Sequence, residues 1–263
     1  MIKQFFLQVH GFDLYSMWRW PKKEINAIVI LIAGFSHSAC DKDYFMSNLS
    51  QKLNENNLLT IQFDLYGHGD SDGNIAELTS HIVREELLGL IGFLQSYSNL
   101  KELPIKIITR GVIGICIAHF FFDLGINELL VIAPPVFSKE LRKIIVEDFQ
   151  VNYNLKCKEY IHKDTYITIE EKRILFEILG AYPSNLLGQN VPYKFLIENI
   201  STELVNTKEI AWICFCGNGY KSVNDFHHIP IINRLDDKNI IFVRDPLEYY
   251  LLIKQLSNIV SEI

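Results

Sequence analysis

Residues 63–73 read Phe-Asp-Leu-Tyr-Gly-His-Gly-Asp-Ser-Asp-Gly, a glycine-rich turn at the end of an apolar stretch that begins at residue 58. Earlier in the chain, residues 27–35 form a continuous apolar run, which is typical of a strand buried on both faces. Residues 42–56 lie between the two and have the apolar spacing of a helix. This order predicts a βαβ unit with parallel strands, and the glycine-rich turn lies where its second strand ends.

The same alternation extends to both sides of this unit. The sequence predicts a hairpin that turns at Gly11, an amphipathic helix capped by Thr79 or Ser80, and then a strand, an apolar helix and a further strand at residues 105–109, 111–124 and 129–133. From residue 136 to 208 the chain is charged and helix-like, without a clear strand. The α/β pattern then resumes, with predicted elements at residues 210–216, 224–235, 239–243 and 246–263.

These patterns predict an α/β protein with a mostly parallel, twisted sheet and helices on both faces. We assign residues 1–135 and 209–263 to the core domain and residues 136–208 to an inserted helical cap. With 263 residues, of which 49% are hydrophobic and 12% aromatic, the chain can bury one core of this size.

The composition excludes several classes of partner. The net charge is −6 and no basic block of five residues occurs, so we expect no nucleic-acid binding. The apolar runs are shorter than the roughly 20 residues of a membrane-spanning helix, and the first residues lack the features of a signal peptide. Five irregularly spaced cysteines indicate reduced thiols and a cytoplasmic protein. Cys214 and Cys216 have no further ligand pair, so we expect neither a metal site nor a cofactor.

The segment from residue 28 to 73 resembles the α/β-hydrolase superfamily, because residues 64–73 match the pattern D-x-x-G-x-G-x-S-x-G at the right place in the βαβ series. The nearest branch is that of the serine aminopeptidases (S33) and monoglyceride-lipase-like proteins. The resemblance implies the α/β-hydrolase fold. It also implies that residues 34–38 would supply the oxyanion hole, and that the glycine-rich turn shapes the rim of the pocket.

The catalytic triad of that superfamily is degenerate in this chain. The nucleophile motif G-x-S-x-G aligns with residues 109–113, Thr-Arg-Gly-Val-Ile, so that Gly111 occupies the serine position. No serine occurs between Ser98 and Ser138. The acid position falls on Tyr220 and the histidine position at or next to Pro246. A glycine has no side-chain oxygen with which to form an acyl-enzyme.

Other polar residues near the expected pocket have two interpretations. His37 either binds ligand or transfers a proton, or it fixes its loop by hydrogen bonds. Arg110 requires a ligand anion or a salt bridge to the cap or to Asp245. His68 is expected to have a structural role, and Cys116 lies too far into its helix to act as nucleophile. The predicted ligand-binding residues are Gly34, Phe35, Ser36, His37, Arg110, Gly111, Val112 and Tyr220.

We therefore expect a protein that binds a small-molecule or peptide-like ligand in the hydrolase pocket without serine hydrolysis. One alternative is a non-hydrolytic enzyme, such as an epimerase of natural-product biosynthesis, with Arg110 holding a substrate carboxylate and His37 as general base. A second alternative is a conventional esterase or lipase-type hydrolase with displaced catalytic residues. The sequence leaves the oligomeric state open.

Overall fold

The computed structural model describes residues 1–35, 37–41, 44–132, 143, 147, 193–200, 207 and 209–213. Within these residues, seven strands form one sheet in the order β1-β2-β4-β3-β5-β6-β7. The strands are β1 (Ile2–Val9), β2 (Phe12–Arg19), β3 (Ala27–Ile32), β4 (Leu58–Phe63), β5 (Ile105–Arg110), β6 (Glu128–Ile132) and β7 (Ile210–Ile213). The helices are α1 (Phe45–Glu55), α2 (Ser80–Gln95), α3 (Gly111–His119) and α4 (Tyr193–Ile200), with 3₁₀ turns at Ile75–Glu77 and Phe121–Leu124.

The sheet is parallel from β4 to β7 and antiparallel at its first edge. β1 pairs with β2, and β2 with β4, in antiparallel register. β3 lies between β4 and β5 and is parallel to both. β6 and β7 continue the parallel sheet. The carboxyl ends of β4, β3 and β5 therefore meet at one edge of the sheet.

Helices cover both faces of this sheet. Alternate residues of β3 enter two different cores: Ile28 and Ile30 belong to the core that contains residues of α2, α3 and α4, and Val29 and Leu31 to the core under α1. All six residues of β3 are buried, as its unbroken apolar run predicts. The predicted parallel sheet with helices on both faces is confirmed.

The predicted hairpin is also present and turns at His10 and Gly11. Their φ angles are 51° and 87°, which is the left-handed backbone that a two-residue type I′ turn requires. The predicted cap of α2 is Thr79, whose side chain accepts a hydrogen bond from the amide of Ile82 at 3.2 Å.

The predicted single helix over residues 111–124 is wrong in its second half. α3 ends at His119, and the chain then tightens into the 3₁₀ turn Phe121–Leu124. Side chains three residues apart lie on the same side of a 3₁₀ turn. This spacing buries both Phe121 and Leu124, whereas Phe122 is 70% exposed.

Helix α4 lies in the range predicted for the cap and packs on the core. Phe195 and Leu196 are fully buried and belong to the same core as α2 and α3. The hydroxyl of Ser80, at the start of α2, donates a hydrogen bond to the Glu198 carboxylate at 3.1 Å and accepts one from the side-chain amide of Asn199 at 3.0 Å. The division into core and cap remains a prediction.

The rest of residues 136–192 and the predicted elements beyond residue 213 lie largely outside the described residues. In the described part of the chain, no helix combines the length and the apolar character needed to span a membrane.

Candidate functional site

Three chain segments meet at the carboxyl edge of the sheet. They are the loop of residues 34–41 after β3, the glycine-rich turn after β4, and the junction between β5 and α3. Ligands of open α/β sheets bind at this edge, outside the carboxyl ends of the strands. The predicted site residues in the described part of the chain lie in the first and third of these segments.

The junction between β5 and α3 is a sharp strand-to-helix turn. Arg110 is still extended, with φ −129° and ψ 150°, and Gly111 begins the helix with a φ of 62°. A positive φ at this point is the strained backbone on which a hydrolase presents its nucleophile, and glycine adopts it without a steric penalty. The junction therefore has the backbone conformation of such an elbow, with a glycine at position 111.

Helix α3 lies very close to β6. A methyl group placed on Gly114 would overlap the side chain of Val131 and would lie 3.1 Å from Cγ2 of Thr109. The second glycine of the motif G-x-S-x-G would fall at position 113, where this chain has Ile113. The glycine that allows α3 to lie close to β6 is Gly114, one residue later.

Gly34 brings the loop and the elbow together. A methyl group on Gly34 would lie 3.5 Å from Cδ2 of His37 and 3.6 Å from Cβ of Arg110. The amide of His37 donates a hydrogen bond to the carbonyl of Gly34 at 3.1 Å, which closes a tight turn. His37 and Arg110 therefore flank the same glycine.

The side chains of Phe35 and Val112 point into the core. Both are fully buried. The ring of Phe35 stacks on Phe195 with centroids 6.0 Å apart and meets His68 edge-on at 5.6 Å. These two residues can therefore contribute backbone groups to the site, whereas their side chains hold the fold together.

Arg110 forms an ion pair with Asp41. Its Nη1 lies 2.7 Å from Oδ2 of Asp41, whose side chain is fully buried, while that of Arg110 is 22% exposed. The guanidinium also lies over the ring of Phe45, 5.4 Å from its centroid. Asp41 is thus a partner of Arg110 that the sequence did not predict. Of the predicted partners, Asp245 and most of the cap lie outside the described residues.

Asp41 is the site residue that sequence reasoning missed. It has a φ of 58° and accepts at its carbonyl a hydrogen bond from the amide of Tyr44, 3.3 Å away, just before α1. A residue before a helix suggests a local capping role. Nothing local connects it with an arginine that is 69 positions away.

The glycine-rich turn is built around the carboxyl group of Asp64. The amide of Asp70 donates to Oδ2 of Asp64 at 3.1 Å, and the hydroxyl of Ser71 donates to the Asp64 carbonyl at 2.7 Å. Gly69 has a φ of 51°, and a methyl group there would overlap the Asp64 carboxyl. Burial raises the pKa of Asp64 to about 6, against the opposing effect of hydrogen bonds from the Asp70 and Ala39 amides.

His68 has contacts that support a structural role. Its Nδ1 lies 2.9 Å from the carbonyl of Tyr66, and since a carbonyl only accepts, Nδ1 carries the proton. The residue is 4% exposed, and burial lowers the pKa of His68 to about 4. The ring is therefore neutral near pH 7.

A buried carboxyl group supports the turn from α2. Both oxygens of Glu86 lie within 3.2 Å of the Tyr66 amide, which donates to them. Burial raises the pKa of Glu86 to about 8, and the hydrogen bond from Tyr66 only partly offsets this. Glu86 is therefore mostly protonated at pH 7.

Cys116 is unsuited to act as a nucleophile. It lies in α3 and is fully buried. Burial raises the pKa of its thiol to about 12, despite a hydrogen bond with Ser80. The thiolate is the nucleophilic form of cysteine, and it is essentially unpopulated here at neutral pH.

The remaining predicted positions lie outside the described residues. They are Ser36, and Tyr220 and Pro246, which the sequence predicts at the acid and histidine positions. The structure thus brings together Gly34, Phe35, His37, Arg110, Gly111 and Val112. Their assignment to ligand binding remains a prediction.

Solved structures define the fold. The α/β hydrolase GrgF from Penicillium sp. sh18 is 14% identical to the chain, with a TM-score of 0.58 over 81% of this chain and 80% of that one. The epoxide hydrolase CorEH is also 14% identical, with a TM-score of 0.51 over 81% and 82%. The chain therefore has the α/β-hydrolase fold, as predicted.

A further solved structure matches only about half of this chain. Est1E from Butyrivibrio proteoclasticus, in complex with ferulic acid, is 22% identical with a TM-score of 0.46, and the match covers 53% of this chain and only 56% of Est1E. No protein-family model and no curated protein matches the chain. Because one fold hosts unrelated chemistries, the function has to be argued from the site itself.

Proposed function

We propose that this protein binds a small-molecule or peptide-like ligand at the carboxyl edge of its sheet and does not carry out serine hydrolysis. The observation that supports this most is Gly111. It holds the left-handed backbone of a nucleophile elbow, with a φ of 62°, and has no side chain to offer. Acyl transfer in this fold starts from a nucleophile at that point, so its first covalent step is lost.

The sequence at the other two triad positions supports the same conclusion. Tyr220 stands at the acid position and Pro246 at the histidine position, and no histidine follows His228. Even a hydroxyl group at the elbow would then lack the histidine base of the triad. The protein is thus proposed to be a pseudoenzyme of the serine aminopeptidase (S33)-like branch, and to act in the cytoplasm with no cofactor.

A fluorophosphonate probe and a panel of short-chain p-nitrophenyl esters test this proposal. The wild-type protein and Gly111→Ser are compared, with Ser38→Ala as control, because Ser38 is an exposed hydroxyl on the loop beside the site. We expect no labelling and no turnover from any of the three. Gly111→Ser gains a hydroxyl group but no base.

Labelling or ester turnover by the wild type would contradict the proposal, and its loss in Ser38→Ala would identify Ser38 as a displaced nucleophile. Labelling of Gly111→Ser alone would contradict the loss of all three triad members, because it would show that a working base and acid remain.

The non-hydrolytic enzyme remains the alternative proposal. The structure supports its geometry to the extent that His37 and Arg110 flank Gly34. Asp41 pairs with Nη1 of Arg110, so a substrate carboxylate would have to bind the remaining donors of the guanidinium. If Arg110→Ala and His37→Ala both left turnover of a candidate substrate unchanged, this arrangement would be wrong.

A further inference from the structure

Arg110 is held in place from two sides, and it has hydrogen-bond donors that no other described residue uses. We propose that it binds a carboxylate group of the ligand, with Asp41 as the residue that positions it. This inference rests on the proposed ligand-binding function and names the chemical class of the ligand: a carboxylate monoanion.

The geometry leaves part of the guanidinium open. A guanidinium carries five N–H donors in a planar fork. Nη1 of Arg110 bonds to Asp41, and among the described residues the side chain makes no other hydrogen bond. The side chain is 22% exposed, so its remaining donors are not sealed in the core. Arg110 therefore offers a second edge to an acceptor with two oxygens.

Asp41 and Phe45 fix the orientation of that edge. The Asp41 side chain is fully buried, so its carboxylate cannot turn to solvent, and the ring of Phe45 lies 5.4 Å from the centre of the guanidinium. An arginine held in one rotamer loses less conformational entropy when it binds a ligand. Asp41 thus has the role of a positioning residue.

The charge balance favours a monoanion. Asp41 already offsets the charge of Arg110, so a bound carboxylate leaves the group at −1, whereas a phosphate dianion would leave it at −2 in a partly desolvated place. A carboxylate also matches the planar fork with two parallel hydrogen bonds.

Two matched pairs of probes test the inference on the full chain by isothermal titration calorimetry. They are octanoate against octanamide, and N-acetylphenylalanine against its amide, so that fatty-acid and peptide-like carboxylates are distinguished. We expect each acid to bind about tenfold more tightly than its amide, as one charge-assisted hydrogen-bonded contact at a partly exposed site would give.

Three variants assign the effect to Arg110. Arg110→Lys keeps the charge but loses the fork, so the preference for the acid should fall to a few-fold. The double variant Asp41→Asn with Arg110→Gln avoids a buried unpaired charge, and its acid preference should vanish while the affinity for the amide stays the same. In Asp245→Asn we expect the wild-type preference.

The inference would be overturned by equal affinities of acid and amide in the wild type, or by a preference that survives in the double variant. It would also be overturned if neither acid bound at millimolar concentration. A preference that arises only in Asp245→Asn would show that the chain itself occupies Arg110. Amides that bind without any acid preference would leave the proposed binding function intact, and fluorophosphonate labelling would contradict that function alone.

Discussion

Removing Arg110 should destabilise the protein more than removing an arginine or lysine from an ordinary surface pair. In Arg110→Met the carboxylate of Asp41 stays buried without its guanidinium. Breaking a fully buried pair costs about 3–5 kcal/mol, and an exposed pair contributes at most about 1 kcal/mol. Asp41 is fully buried and Arg110 is 22% exposed, so we expect an intermediate loss of about 2–3 kcal/mol.

Urea denaturation at pH 7 measures this loss, with Lys52→Met as the matched control. Lys52 pairs with Glu55 on α1, and the two side chains are 31% and 52% exposed. The control should cost less than about 1 kcal/mol. A chain of this size loses roughly 2–4 °C in Tm for each kcal/mol, so Arg110→Met should melt about 4–12 °C lower.

A double-mutant cycle with Asp41→Asn completes the test. Asn tolerates the left-handed φ of 58° at this position, so the substitution adds little backbone strain. Asp41→Asn should cost less than Arg110→Met, because the partly exposed guanidinium can still reach water. The double variant should recover part of the loss. If Arg110→Met were no more destabilising than Lys52→Met, the buried charge of Asp41 would not govern the site.

Two further predictions concern the glycine-rich turn. Gly69→Ala should be more destabilising than Gly125→Ala in urea denaturation. Both glycines have a positive φ, but a methyl group at Gly69 would overlap the Asp64 carboxyl, whereas a methyl group at Gly125 would meet nothing within 4 Å. We expect about 1–2 kcal/mol for strain alone and more where the overlap is added, and equal losses would disprove the steric argument. Burial raises the pKa of Glu86 from 4.5 to about 8. Between these two pKa values the folded state holds a proton that the unfolded chain has lost, so the contribution of Glu86 to stability falls as the pH rises from 4.5 to about 8. Glu86→Gln should therefore flatten the loss of stability between pH 6.5 and 8, which lies above the range where His68 titrates; an unchanged slope would contradict the buried carboxyl.

Local patterns predicted most of the fold because they act within a few residues. Three features are predicted from neighbouring residues alone, and each is confirmed: the strand β3 from its unbroken apolar run, the turn at Gly11, and the helix cap at Thr79. The end of α3 could not be predicted in this way. Its apolar sequence suits a helix as far as residue 124, and burial of Phe121 and Leu124 against the core decides where the helix ends.

The candidate site likewise has features that local sequence predicts and features that only tertiary contacts decide. The sequence by itself determined that Gly111 stands at the elbow, because a serine is missing from a recognisable strand–turn–helix pattern. It could not assign a partner to Arg110, since long-range ion pairs leave no periodic signal. Only the tertiary structure places Asp41 against that arginine, by setting the end of β5 beside the loop that follows β3.

The same reason applies to ionisation. The sequence shows the side chains of Asp64, His68 and Glu86, but burial sets their pKa values, and burial exists only when the helices have packed on the sheet. The order of the described strands and helices, and the glycine at position 111, are thus properties of the sequence. The pairing of charges and the protonation of buried groups come from packing, because both depend on which distant segments exclude water from one another.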